Sequence, residues 1–264
     1  MRMRPERPAS YLTRSPHGLK RDAMTFSVRI LCDNISASRK GYEKDPGFAA
    51  LLRIEETYLL FDTGMFPDAL LNNLEAAGVA LSDIQAVLLS HNHNDHTDGL
   101  LGLLPEKPDL PVYIHKKWER SISFKGMEIP EKNKVYVHKP GPQKGLPDSV
   151  LFTDVFLSRD YGGIFEQAVY LRLRNSCILI CGCSHPGLNL FLAQRQQLGI
   201  DESNALHVLG GMHGFRFSTR AAQELNPVLE SIVCCHCTHY TDVFRKQFGE
   251  KCAFGVTGKE YVYE

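Results

Sequence analysis

Residues 90–100 read SHNHNDHTDGL, placing three histidines and two aspartates in eleven residues. The segment follows directly on IQAVLL, residues 84–89. A short apolar run bounded by polar residues reads as a buried strand, so the cluster sits at a strand's carboxyl end. In α/β sheets, that is where loops from several strands converge into sites. In His91-x-His93-x-Asp95-His96, alternate residues of an extended loop face one side, so His91 and His93 can grip one ion. Asp95 and His96 follow at a turn and can face a second. An ion needs three or four ligands, so each pair requires at least one more donor from elsewhere. Imidazole and carboxylate suit zinc first, with manganese and iron as alternatives. The chain must therefore fold so that distant strand ends meet.

Other apolar runs end in ligand-capable residues. Phe26–Cys32 alternates as a half-buried strand does. Residues 48–54 and Thr57–Phe61 read as a hairpin around Glu55 and Glu56, and its second strand runs into Asp62. Leu70, Leu74 and Ala77 predict a helix over 67–77, stopped by Gly78. A helix is expected to start within 99–104, and strand 112–114 leads to His115. Residues 116–150, rich in Lys, Pro and Gly, read as a loop-rich insertion of the kind that covers sites. In the second half, 167–174 and 177–182 form a hairpin ending at Cys183-Ser184-His185. A helix (188–197), a strand (206–209) ending at Gly210-Gly211-Met212-His213, a helix (219–229) and a strand (231–235) lead to His236. His185 and His236 are the first candidates to complete the cage. His213 comes next, since two preceding glycines let the backbone approach an ion or anion.

Thirty basic residues balance thirty acidic ones, so no bulk field favours nucleic acid or an anionic membrane. The eight cysteines crowd into apolar stretches, and no secretory h-region is read. The expectation is a cytoplasmic protein with buried free thiols. Cys181-x-Cys183 and Cys234-Cys235-x-Cys237 lack zinc-knuckle spacing, although Cys183 or Cys237 can line the site. Residues 1–23 are basic and poor in core residues, and read as a disordered or expression-derived extension ahead of one domain over 24–264.

The pieces LLFDTG (59–64), LLSHNHNDHTDGL (88–100), CGCSHPGLN (181–189), GGMH (210–213) and HCT (236–238) together resemble the metallo-β-lactamase superfamily. The last three are most similar to its branch of 7,8-dihydropterin-6-methyl-4-(ribofuranosyl)aminobenzene-5'-phosphate synthase-like proteins. The resemblance spans about residues 26–258. It implies an α+β fold, a four-layer αββα sandwich, with two divalent metal ions at one edge. His91 and His93 would serve the first, and Asp95 and His96 the second. It also implies that Asp62 orients the metal-site loop through hydrogen bonds. Many members bridge their ions with an aspartate at a later strand end. The comparable end here carries Cys183-Ser184-His185, so the ions are expected to share only water or to differ in strength. Asp98 and His239-Tyr240 stand where the branch favours glycine.

Such ions lower the pKa of water towards neutrality. The expected reaction is hydrolysis of an ester, thioester, lactone or phosphoester, with Asp95 orienting the water or accepting a proton. A nucleophile elbow, a P-loop and GxGxxG are all absent from the sequence. Alternatives are a pterin–arylamine phosphate transferase, an iron oxidoreductase and a non-catalytic metal-binding module. Lys116, Lys117, Arg120 and Lys125 either meet an anionic small-molecule substrate or face water.

Overall fold

Alternation along the strands sets the layers. The structure is a computed structural model that describes residues 26–120, 124–159 and 162–264; the basic extension expected at 1–23 lies outside them. The chain lays down β1 (Phe26–Cys32), β2 (Ala49–Ile54), β3 (Thr57–Phe61), β4 (Ile84–Leu88), β5 (Val112–His115) and β6 (Lys134–Val137). It continues with β7 (Gly141–Pro142), β8 (Val150–Phe152), β9 (Phe156–Ser158), β10 (Ile164–Glu166), β11 (Val169–Arg172) and β12 (Ser176–Cys181). Last come β13 (Ala205–Gly211), β14 (Leu229–Cys235), β15 (Cys252–Phe254) and β16 (Glu260–Tyr263). One seven-stranded sheet has the order β16-β1-β2-β3-β4-β5-β6, and the other β15-β14-β13-β12-β11-β8-β7. β9 and β10 pair separately.

Phe26, Val28 and Ile30 of β1 pack with Leu59 and Phe61 of β3 against Ile178, Ile180, Leu209 and Val233 of the second sheet. The intervening residues face outwards, as the two-residue period of a strand requires. On the first sheet Leu31, Leu60 and Val87 meet α1 (Pro67–Ala76) and, beyond the short α2 (Asn94–Thr97), α3 (Leu100–Glu106), through Leu70, Leu74, Leu100 and Leu103. On the second, Cys177, Leu179 and Cys181 meet α4 (Leu188–Leu192), α5 (Thr219–Leu225) and α6 (Thr241–Phe248), through Leu188, Phe191, Ala222, Phe244 and Phe248. The result is the expected four-layer αββα sandwich.

β3 to β6 run parallel, and so do β12 to β15. Parallel strands deliver their carboxyl ends to one edge, and every residue singled out at a strand end lies on that side. Two expected helices are shorter than their apolar spacing suggests. The one expected over 188–197 stops at Leu192, and the one over 219–229 stops at Leu225. Asn226 is still helical, but Pro227 has no N–H to extend the helix ladder, and Leu229 already begins β14. Residues 116–150, expected as a loop-rich insertion, supply β6 and β7 at the edges of the two sheets. Strands this short leave no readable period. All eight cysteines are free thiols. No helix among the described residues is long and apolar enough to cross a membrane.

Candidate metal centre

Buried carboxylates hold the loops at this edge. Asp62, just past β3, adopts φ 55°. It accepts hydrogen bonds from the Ser90 N–H and Oγ–H, both at 2.7 Å, and lies 2.7 Å from Nδ1 of His96. The Ser90 hydroxyl also lies 2.8 Å from Nδ1 of His91. Since that hydroxyl proton is given to Asp62, His91 donates through Nδ1 to Ser90 and presents the lone pair of Nε2. His96, with Nδ1 on Asp62, likewise turns Nε2 away from that carboxylate. Asp62 thus holds the rings of both His91 and His96, one directly and one through Ser90. Gly182 allows this junction, because a Cβ there would run into the Ser90 hydroxyl and lie 3.0 Å from Asp62 Oδ2.

Two further carboxylates were not singled out in the sequence. Glu166, fully buried at the end of β10, accepts the N–H groups of Cys183 (2.8 Å), Ser184 (2.6 Å) and His185 (2.8 Å). Burial raises its pKa to about 7 against the pull of those three donors. Asp33, just past β1, accepts the N–H of His236 at 2.9 Å. Each is an acid at the end of an apolar strand, as Asp62 is, and that was the available signal. Ser184, His213 and His236 all have φ between 37° and 56°, a left-handed conformation that residues other than glycine adopt at a cost and that clusters at functional sites.

These supports gather two triads. The ligand atoms of His91, His93 and His185 lie within 4.8 Å of one another, and so do those of Asp95, His96 and His236. The triads adjoin, with the rings of His91 and His96 only 4.2 Å apart. Nε2 of His236 is 3.1 Å from Asp95 Oδ2. Burial, reinforced by neighbouring imidazoles, pushes the His91 pKa well below its usual value, that of His93 to about 4 and that of His185 to about 2. All three are therefore neutral at pH 7 and carry lone pairs. Burial works to raise Asp95, but His96, His236 and His93 outweigh it and hold the carboxyl below the usual range. Nε2 of His91 is buried with no hydrogen-bond partner among the described residues. Such an atom is costly unless a cation or donor meets it, so this donor set fits divalent metal ions.

His213 does not join either triad. Its ring stands 4.6 Å from that of His185 in the wall of an open cavity of about 210 Å³ that His93, Asp95, Phe124, His185 and His236 also line. His115 lies away from the triads, its ring 6.3 Å from Phe165. Lys125 pairs with Glu119 at 2.6 Å, which neutralises much of what it could offer an anion. Asp98 accepts the Met127 N–H at 2.9 Å and so secures the following loop. The side chain of Arg120 lies outside the described part.

An αββα sandwich with two adjoining triads of nitrogen and oxygen donors at the carboxyl ends of parallel strands defines a class of metal-binding protein. Residues 42–171 match the model of the metallo-β-lactamase superfamily, and the chain belongs to that superfamily. Over 95 residues it is 28% identical to the 7,8-dihydropterin-6-methyl-4-(β-D-ribofuranosyl)-aminobenzene-5'-phosphate synthase of Methanocaldococcus jannaschii, a match covering 34% of this chain and only 32% of that relative. An uncharacterized protein of the same organism is 25% identical over 260 residues, 88% of this chain and 98% of its own. Among solved structures, a metal-dependent hydrolase of the β-lactamase superfamily superimposes with a TM-score of 0.68 at 22% identity, over 89% of this chain and 98% of that one. The metallo-β-lactamase fold protein YhfI from Bacillus subtilis does so at 0.61 with 14% identity, over 90% and 100%. At such identities the likeness establishes the fold.

Proposed function

We propose that the protein is a metal-dependent hydrolase with a dinuclear centre, acting in the cytoplasm on a small, anionic ester or phosphoester-type molecule. The observation that carries this reading is the adjoining of two complete donor triads beside one open cavity. His91, His93 and His185 would hold one ion, and Asp95, His96 and His236 the other, with zinc the first choice. Divalent ions there supply acidified water near neutral pH and stabilise charge developing on a substrate oxygen. Asp95, kept ionised and on the cavity wall, orients the attacking water and takes its proton. His213, outside the triads but facing the same cavity, contacts the substrate. The solved metal-dependent hydrolase with the same fold supports the reaction class. A balanced net charge supports a small molecule over nucleic acid or a membrane.

Metal analysis of the purified chain should find two zinc or manganese ions, and a panel of esters and phosphodiesters should find turnover that His91→Ala abolishes. Full activity in that variant would sink the reading. The partial match to the pterin–arylamine phosphate synthase favours a second reading, transfer with loss of a phosphate-type leaving group. Product formation from a pterin diphosphate and an arylamine phosphate, without hydrolysis of any ester, would select it.

A further inference from the structure

The carboxylates beneath the centre are engaged elsewhere. Asp62 binds Ser90 and His96, Asp33 binds the backbone of His236, and Glu166 binds the backbone of residues 183–185. The space between the triads is filled by sulfur. Sγ of Cys183 lies 3.1 Å from Nε2 of His96, the nitrogen left for a metal once Nδ1 is on Asp62. The ligand atoms of His91, His96 and Cys183 lie within 4.8 Å of one another, and so do those of Cys183, His236 and Cys237. Cys183 therefore groups with a member of each triad. Among the described residues, no carboxylate occurs in the group that joins them.

The surroundings reserve this space for sulfur. Gly211 ends β13 here, and a Cβ on it would run into the Gly182 carbonyl and stand 2.8 Å from Cys237 Sγ. Core packing does not explain these two thiols. Cys32, Cys177, Cys181, Cys234, Cys235 and Cys252 all belong to the hydrophobic clusters, whereas Cys183 and Cys237 belong to none. Yet Cys183 is only 2% exposed.

We propose that Sγ of Cys183 is a ligand shared by the two metal sites and that Sγ of Cys237 joins the site of Asp95, His96 and His236. On binding, each S–H bond breaks heterolytically, its proton leaves to solvent and a metal–sulfur bond forms; no oxidant takes part. Thiolate donors select zinc or iron over manganese or magnesium. The proposal rests on the metal-centre reading above.

The test is X-ray absorption on the full chain loaded with zinc, together with near-ultraviolet spectra of the cobalt(II) form. The expected zinc shell contains sulfur at about 2.3 Å beside nitrogen and oxygen. The expected cobalt form shows a thiolate-to-metal charge-transfer band that weakens in Cys183→Ser and vanishes in Cys183→Ser/Cys237→Ser. Two bound ions with a purely nitrogen and oxygen shell in the wild type would overturn the proposal while leaving the metal centre standing. A band that survives the double substitution would do the same. A chain that binds no ion would overturn both.

Discussion

Oδ2 of Asp62 lies 2.7 Å from Nδ1 of His96, and both side chains are fully buried. Burial alone would keep His96 uncharged, but Asp95 and Asp62 together raise its pKa to about 9 in the absence of metal. The same carboxylate reaches His91 through Ser90, so one side chain sets a ligand in each triad. Asp62→Asn offers an amide where an anion accepted three hydrogen bonds. Metal affinity should fall by roughly 10- to 100-fold, as for other residues that orient metal-bound histidines. Competition against a chromophoric chelator measures it, and unchanged affinity would refute the role.

Glu166 makes a similar prediction for the loop of His185. In Glu166→Gln one of the two oxygens that accept from residues 183–185 becomes an NH2 facing a backbone donor. Leaving a buried N–H unmet costs about 1–3 kcal/mol. Denaturant unfolding should show that loss, and metal analysis should show weaker occupancy. A variant as stable as the wild type would argue that water or the backbone takes over.

The metal-free protein should be sensitive to pH on both sides of neutrality. His93 and His115, with folded pKa values of about 4, and His185, at about 2, are held below the usual 6.5 mainly by burial. The unfolded chain therefore binds more protons than the folded one below pH 6.5, and stability falls as pH drops towards 4. Glu166, raised to about 7 from 4.5, opposes this as one group against three. His96, raised to about 9, contributes stability that is complete below pH 6.5 and fades as pH rises to 9. Chemical denaturation across pH 4–9 should peak near pH 6.5. A flat profile on the acid side would contradict the neutral imidazole cluster.

Gly182→Ala tests how closely the two sheets approach. The added Cβ meets the Ser90 hydroxyl and Asp62 Oδ2, both fixed from behind. Overpacking of this sort costs about 1–3 kcal/mol. A thermal scan should show a lowered melting temperature, and metal binding should weaken with it. Wild-type values for both would mean that the junction is softer than the distances imply.

His213→Ala separates cavity wall from metal ligand. Its ring lies beside His185 but outside both triads. The variant should retain its full metal content while turnover on any substrate found for the wild type falls. Loss of one ion per chain would move His213 into the metal shell.

Much of the site was legible in the sequence because a buried strand ends abruptly where polar residues begin. Asp62, His91, His185 and His236 each follow such a run, and the two-residue period of β1 and β3 already divided inner from outer faces. Sequence reading handled 116–150 less well, since β6 and β7 are too short to display a period. It also passed over Asp33 and Glu166, because an acid beside a strand gains its meaning only from the amides it meets. The amide that Asp33 holds belongs to a residue 203 positions away.

The sequence by itself determined the donors, their spacing within His91-x-His93-x-Asp95-His96 and the ends of the strands that carry the others, since these follow from local periodicity and side-chain chemistry. Only the tertiary structure decided which histidine completes which triad, that His213 lies beside His185 but in neither, and that Cys183 groups with a member of each. Those outcomes depend on how closely two stacked sheets bring their edges together. Gly182 sets that distance, because a side chain on it would strike Ser90 and Asp62 of the opposite sheet.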